Sequence, residues 1–168
     1  GYSRVGRSEL AVQNTDLNDV VHAVAGSLET RFEQLGIKFT LKDNLPTMMC
    51  DKTRVGEVFR NLITNAMKYN DKDDKQIEIG VTTNNDKGCI YVKDNGIGIK
   101  ENHKDKIFQI FKRLHGRHKF GGGTGVGMTI VKKLIEKHGG EIWLDSEVGI
   151  GTTFYFTLAE KKVGVEIV

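Results

Sequence analysis

Asp94-Asn95-Gly96-Ile97-Gly98-Ile99 opens, and Gly121-Gly122-Gly123-Thr124-Gly125-Val126-Gly127 closes, the stretch whose reading decides this fold. The first cluster follows a strand-like run, Gly88-Cys89-Ile90-Tyr91-Val92-Lys93, and places an acid at the strand's end before a turn without side-chain bulk. The second leads directly into the helix-period run Ile130, Val131, Leu134, Ile135. Glycines in such places let backbone N–H groups crowd round an anion, and a helix N-terminus adds its partial positive charge. Either cluster taken singly is compatible with an ordinary turn. As a pair they describe a nucleotide site, with Asp94 fixing a base while the second cluster holds phosphates.

Upstream, Ile77, Ile79 and Val81 alternate as a strand, Asn84 to Gly88 is a turn, and Cys89 to Lys93 returns as the hairpin partner. Parity puts Asp94 on the face of Ile90 and Val92, the core-facing layer, where a pocket could form. Before this hairpin, Asp51 caps a helix running to Tyr69, with Val55, Val58, Phe59, Leu62, Ile63 and Ala66 as its packed side. Glu57, Asn61, Asn65 and Lys68 fall within roughly 80° of one another on its other side. That ridge is either a solvated face or a set of side chains placed for a ligand. Asn is a poor interior helix former, because its amide competes for backbone groups, so two of them spaced i, i+4 favour the ligand.

The remaining chain frames these elements. Residues 1–9 read as a linker or the end of a preceding helix, 10–160 as one domain, and 161–168 as a tail. Leu10 to Gln13 suits a short strand, and Asp16-Leu17-Asn18 caps a helix through about Leu35, stopped by Gly36. Ile37 to Leu41 and Thr47 to Cys50 read as two strands of a hairpin around Pro46. Lys106 to Phe111 is a short apolar helix or turn. Lys112-Arg113-Leu114-His115-Gly116-Arg117-His118-Lys119 is a basic loop: a solvated surface, or a mobile lid over phosphates. Gly127 to His138 is a helix stopped by Gly139-Gly140, and Glu141 to Asp145 is a strand. In the last strand Thr152, Phe154, Phe156 and Leu158 share a face, so Thr152 points inward.

Composition narrows the classes. A chain of 168 residues suits one domain with a real core. The net charge of +3 is mild, and one basic loop makes a poor nucleic-acid footprint. Cys50 and Cys89 lack metal-ligand spacing and read as buried thiols in a reducing compartment. No apolar run approaches the roughly 18 residues that would span a bilayer. The expectation is a cytoplasmic domain without direct membrane contact, whose full-length protein could still carry an anchor.

Read together, Asn61-Leu62-Ile63-Thr64-Asn65-Ala66-Met67-Lys68-Tyr69, Asp94 to Ile99, Gly123 to Met128 and Gly149-Ile150-Gly151-Thr152-Thr153-Phe154 resemble the N box and glycine boxes of the ATP-binding catalytic domain of sensor histidine kinases. Ile107 to Phe111 resembles the family's phenylalanine box. Phe111 to Gly116 and His138 to Trp143 look most like the phytochrome-type branch. The resemblance covers about residues 10 to 159. It implies an α+β fold: a two-layer α/β sandwich with a mostly antiparallel sheet, about three helices on one face and a mobile ATP lid.

Carried over residue by residue, the resemblance implies that Asn65, with Asn61 nearby, coordinates Mg²⁺ bridging the phosphates of ATP. Lys68 would touch phosphate and Tyr69 line the nucleoside. Asp94 would accept the adenine amino group, with Thr152 as a second contact. Gly96, Gly98 and Ile99 would complete the base side; Lys112, Arg113, Gly123, Thr124, Gly125, Val126, Gly127 and Met128 would form the lid and phosphate side. Guanine would set a carbonyl against the Asp94 acceptor, so adenine is selected. In related gyrase-type ATPases a Glu matches Asn61 and activates water. An amide cannot, so hydrolysis is expected to be poor while phosphoryl transfer remains open. None of His22, His103, His115, His118 or His138 lies in the family's phosphoacceptor context. The resemblance therefore implies a histidine on a separate dimerisation domain as acceptor, and a response-regulator receiver domain downstream. Tyr2-Ser3-Arg4 resembles the tail of that domain's second helix. A nucleotide-binding regulatory module without transfer activity, or a related serine kinase or ATPase, is the alternative.

Overall fold

The computed structural model describes residues 9–108 and 126–159. A five-stranded mixed sheet runs in the order β2 (Ile37–Leu41), β4 (Lys75–Asn84), β5 (Lys87–Asp94), β7 (Gly151–Phe156), β6 (Ile142–Glu147). Of its pairings only β2–β4 is parallel. A second, two-stranded sheet pairs β1 (Val12–Asp16) with β3 (Thr47–Asp51) antiparallel. The described residues hold the α-helices α1 (Leu17–Ser27), α2 (Glu29–Leu35), α3 (Lys52–Lys68) and α4 (Val126–Lys137), with a 3-10 turn at Glu101–Lys106.

Helix α3 is the centre of the core. Its Val55, Val58, Phe59, Leu62 and Ile63 pack in one cluster with Ile77, Ile79, Ile90, Val92, Phe154 and Phe156 of the sheet. The opposite sheet face carries a polar and aromatic set in which Trp143 stacks on Tyr155 at 5.7 Å. The alternation expected for β4, β5 and β7 therefore separates the two faces as a half-covered sheet requires. Phe59 meets Phe156 edge-on at 5.5 Å, joining helix layer to sheet layer. Deleting a ring so enclosed costs roughly 3–5 kcal/mol.

Helix ends follow the residues that cap them. Asp16 accepts from the Asn18 N–H at 2.9 Å and Asp51 from the Arg54 N–H at 3.0 Å. Gly36 ends α2 in the left-handed conformation, φ 70°. His138 follows α4 and is wholly buried: Nδ1 faces the Leu134 carbonyl at 2.9 Å and Nε2 accepts the Asp51 N–H at 3.2 Å. That imidazole ties α4 to the start of α3.

Three expectations are corrected. The single helix from Asp16 to Leu35 is two, broken at Leu28 (φ −108°, ψ 2°). Gly26 weakens its last turn, and the Ser27 hydroxyl takes the Val24 carbonyl at 2.7 Å; the kink lets both Leu28 and Phe32 reach the core. The first strand runs from Val12 to Asp16 rather than Leu10 to Gln13. The expected hairpin of β2 with β3 does not form. Lys42 donates its N–H to the Ile79 carbonyl at 2.8 Å, and Asp43 accepts the Val81 N–H at 3.1 Å, so the chain leaving β2 stays with β4. Asn18 then takes both backbone groups of Leu45, at 2.9 and 3.1 Å, and carries β3 across to β1.

Candidate functional site

The C-terminal end of α3 and the C-terminal end of β5 meet over one partly open cavity. It is lined by Asn65, Ala66 and Tyr69 from the helix, Asp94 from the strand, Ile97, Gly98 and Ile99 from the following turn, and Thr152 and Phe154 from β7. Asp94 and Asn65, distant in sequence, thus share one space. The cavity is the consequence of strand register: Asp94 stands opposite Ile77 on one side and Thr152 on the other, the last paired residue before β5 gives way to the turn.

The Asp94 carboxylate is held by one oxygen. Oδ1 accepts the Gly96 N–H at 2.8 Å and the Thr152 N–H at 3.3 Å. Oδ2 has no hydrogen bond to the described residues, and Asp94 lines both this cavity and an outer groove along β5, β6 and β7. Burial pushes the carboxyl up to about pKa 6, against the lowering influence of the two amides and the Lys72 ammonium. At neutral pH it is chiefly an ionised acceptor, and a modest acidification makes it a donor.

The turn after Asp94 is tied from every side. Ile97 donates its N–H to the Tyr69 carbonyl at 3.0 Å, and the Gly149 N–H reaches the Ile97 carbonyl at 2.8 Å. The Ile99 N–H is accepted by the Ser146 hydroxyl at 2.7 Å, which itself lies 2.9 Å from the Gly151 carbonyl and 2.7 Å from Thr152 Oγ1. Gly98 has φ +78°, and a Cβ there would run into the Glu147 backbone. Only glycine lets this turn close against β6. Tyr69, buried at the end of α3, has its hydroxyl pushed up by desolvation.

The helix side is differently prepared. Glu57, Asn61, Asn65 and Lys68 are half-buried, so the ridge is not a fully solvated face. Asn61 Nδ2 donates to the Glu57 carbonyl at 2.8 Å, which aims Oδ1 away from its own helix. Gly127 at the start of α4 comes so near that a Cβ would collide with Asn61 Oδ1. Asn65 Nδ2 is buried with no hydrogen-bond partner among the described residues. Buried amide groups are seldom left this way. Lys68, in the last turn of α3, has no ion-pair partner among them either.

Of the residues expected at the site, Asn65, Tyr69, Asp94, Gly98, Ile99 and Thr152 line the cavity, while Gly96 supports Asp94 from behind. Asn61, Lys68 and Gly127 lie along its helix side rather than in its wall. Met128 is 1% exposed and packs in the core. Val126 begins α4, but its side chain is not described. Lys112, Arg113, Gly123, Thr124 and Gly125 lie outside the described residues. Sequence reading missed Ala66, Ile97 and Phe154 as lining, and Ser146, Asn95 and Lys72 as supports. Phe154 and Ala66 could have been found by extending the parity of β7 and the 3.6-residue period of α3; Ile97 lies in the turn after β5, which has no period to extend. The supports carried no local signal.

Comparison with known proteins gives these features a family. Residues 50–162 match the model of the histidine kinase-, DNA gyrase B- and HSP90-like ATPases. Cyanobacterial phytochrome B of Nostoc sp. is 52% identical over 160 residues, 95% of this chain and 21% of that protein. The sensor protein kinase WalK of Staphylococcus saprophyticus is 46% identical over 111 residues, 64% of this chain and 18% of WalK. The chain therefore spans about a fifth of the length of the curated relatives it matches. Among solved structures, the catalytic domain of histidine kinase ThkA superposes with a TM-score of 0.75 at 26% identity, covering 90% of this chain and 97% of that one. Full-length ShkA in complex with AMPPNP superposes at 0.80 with 23% identity, covering 98% of this chain and 35% of that one, which speaks for the fold. The chain therefore belongs to the histidine kinase-, DNA gyrase B- and HSP90-like ATPases, among relatives that are sensor histidine kinases.

Proposed function

We propose that this domain binds Mg-ATP and transfers its γ-phosphoryl group to a histidine on a separate dimerisation domain, in two-component signalling. The observation that carries the reading is that Asp94, one of whose carboxylate oxygens has no hydrogen bond among the described residues, lines the same cavity as Asn65 with its unsatisfied amide. An acceptor fixed in a half-apolar slot between Ile97, Ile99 and Phe154 suits the exocyclic amino group of adenine. Thr152 Oγ1 stands beside it as a second polar contact. Guanine would bring a carbonyl to that oxygen, and two acceptors repel.

The donor set fits Mg²⁺. A small hard cation takes oxygen ligands, keeps waters, and is bound by few protein groups plus phosphate oxygens. Asn61 and Asn65 offer amide oxygens on one helix edge. Among the described residues no three His, Cys, Asp or Glu side chains converge, so the ion would be shared with the polyphosphate rather than caged by protein. Bound there, it would neutralise phosphate charge. Lys68 adds a further cation, while Tyr69 and the Ile97–Ile99 turn orient the nucleoside end. Asn61 cannot serve as a base for water near neutral pH, which favours transfer over hydrolysis. The lid assigned to Lys112, Arg113 and Gly123–Gly125 would close the phosphate side.

In ThkA a structure in complex with the response regulator TrrA is known, at 25% identity and TM-score 0.71 over 89% of this chain and 42% of that one. A receiver domain downstream of this domain is proposed on the same footing. No helix among the described residues is long and apolar enough to cross a membrane. Isothermal titration with ATP, ADP and GTP, with and without Mg²⁺, tests the binding half. Adenine-selective, magnesium-enhanced binding is expected, and equal GTP affinity overturns it. Labelled ATP mixed with the cognate acceptor domain tests transfer; acid-labile label on that domain is expected, and binding without label would make this a regulatory nucleotide module.

A further inference from the structure

Lys72 sits in the short loop between α3 and β4 and is half-buried. Its ammonium donates to three backbone carbonyls: Asn95 at 2.9 Å, Gly96 at 3.1 Å and Gly149 at 2.8 Å. An ammonium has three N–H donors, and all three are used. Two acceptors belong to the turn that follows Asp94, the third to the turn between β6 and β7. Those turns, far apart in sequence, flank the mouth of the cavity.

The lysine is itself held in place. Asn70 Oδ1 accepts the Lys72 N–H at 2.9 Å, and Asn70 Nδ2 donates to Asn95 Oδ1 at 2.8 Å. Asn95 in turn accepts the Gln76 N–H at 2.9 Å and donates to the Asp74 carbonyl at 2.6 Å. The backbone from residue 70 to 76 is thereby locked to the residues after Asp94 by side chains of two asparagines. A solvated lysine would lose much rotamer freedom on entering three bonds, and this frame has already fixed its backbone.

We infer that Lys72 is a positioning residue for base recognition: its ammonium clamps the turn after Asp94 to the β6–β7 turn and so fixes where the Asp94 carboxyl stands in the cavity wall. The inference rests on the adenine-reading role proposed for Asp94. Other charged or titratable groups share a pocket with Asp94: Tyr69 lines the cavity, and Lys93, Asp145 and Glu147 line the outer groove that Asp94 also lines. Among the described residues Lys72 is the charge that lowers the Asp94 carboxyl, opposing its burial. Removing that charge leaves desolvation less opposed, so the carboxyl keeps its proton to higher pH.

The test separates clamp from charge. Lys72→Gln keeps an N–H donor and removes the charge; Lys72→Arg keeps the charge. Carbon-13 NMR of the Asp94 carboxyl in the nucleotide-free chain is expected to titrate roughly 0.5–1 unit higher in the Gln variant and near the parent value in the Arg variant. ADP affinity in the Gln variant should fall about two- to fivefold at pH 6 and recover toward the parent by pH 8. An unchanged Asp94 titration together with an unchanged ADP affinity in a folded Gln variant overturns the inference. If the Gln variant does not fold, the unaltered chain still decides: a Lys72 ammonium whose hydrogens exchange as fast as those of a solvated lysine overturns it, and slowed exchange supports it. The carboxyl titration needs no nucleotide, so it stands even if the Mg-ATP reading fails.

Discussion

The two sides of the cavity are built on opposite plans. On the sheet side, Asp94, Gly96, Ile97 and Ile99 are bound into Thr152, Tyr69, Ser146 and Lys72 by protein hydrogen bonds, and the second Asp94 oxygen has no hydrogen bond among the described residues. On the helix side, the Asn65 amide is unsatisfied and Lys68 unpaired among the described residues, while Asn61 is anchored through its nitrogen alone. A base is planar and invariant, so a rigid wall reads it at small entropic cost. A triphosphate with its metal brings its own charges and ligands, and a side that waits for them can be completed by the ligand.

The sharpest break of that comparison is mutation of each side's key residue. Asp94→Ala and Asn65→Ala should each weaken Mg-ATP by about a hundredfold or more, the loss of a charged hydrogen bond with a group left unpaired. Titrated against ADP without Mg²⁺, the first should retain its full penalty and the second lose most of its own. Equal penalties in both conditions would merge the two sides into one.

Gly127→Ala probes the helix side alone. Its methyl would displace Asn61 Oδ1. Calorimetry should find Mg-ATP affinity down about tenfold, with metal-free ADP little affected, because the base wall is untouched.

Acidity tests the sheet side. With the Asp94 carboxyl at about 6, adenine-nucleotide affinity should rise with pH through 6 and level off above 7. Stability of the ligand-free chain should move the other way. A carboxyl raised on folding stabilises the fold fully below its unfolded pKa near 3.8, and that contribution is lost as pH rises through 6. Asp94→Asn should therefore make the ligand-free chain more stable at pH 7 by about 1–2 kcal/mol while abolishing adenine preference. A calorimetric melting temperature that falls in this variant would show the carboxylate to be a structural rather than a functional charge.

The smallest effect is expected at Ser146→Ala, which strips the Ile99 N–H and the Gly151 carbonyl of one shared partner. A loss of about 1–2 kcal/mol by chemical denaturation, with adenine affinity down only severalfold, would show how redundantly the wall is tied. Collapse of binding would show instead that the hydroxyl is its keystone.

Much of this was legible beforehand, for reasons tied to particular residues. Asp94 could be placed because β5 alternates and a period of two leaves no choice of face once Ile90 and Val92 are inside. Asn61, Asn65 and Lys68 could be placed because α3 buries a continuous stripe opposite them. Leu28 could not be read as a break, since a stripe through Val24, Leu28 and Phe32 continues across it. Strand β2 was assigned to the wrong neighbour because a short link to β3 favours a hairpin. Its true partner, β4, is fixed by Lys42 and Asp43 reaching residues nearly forty positions away.

Local periodicity and residue chemistry are carried by the chain wherever it goes, so the sequence by itself determined the strands, the helices' buried faces, the acid-glycine turn and the asparagine ridge. Which elements would lie side by side depends on long-range pairing and packing, which no window of residues contains. Only the tertiary structure could bring the Asn95, Gly96 and Gly149 carbonyls to the Lys72 ammonium, set the Ser146 hydroxyl against the Ile99 N–H, and place Asp94 and Asn65 in the wall of one cavity.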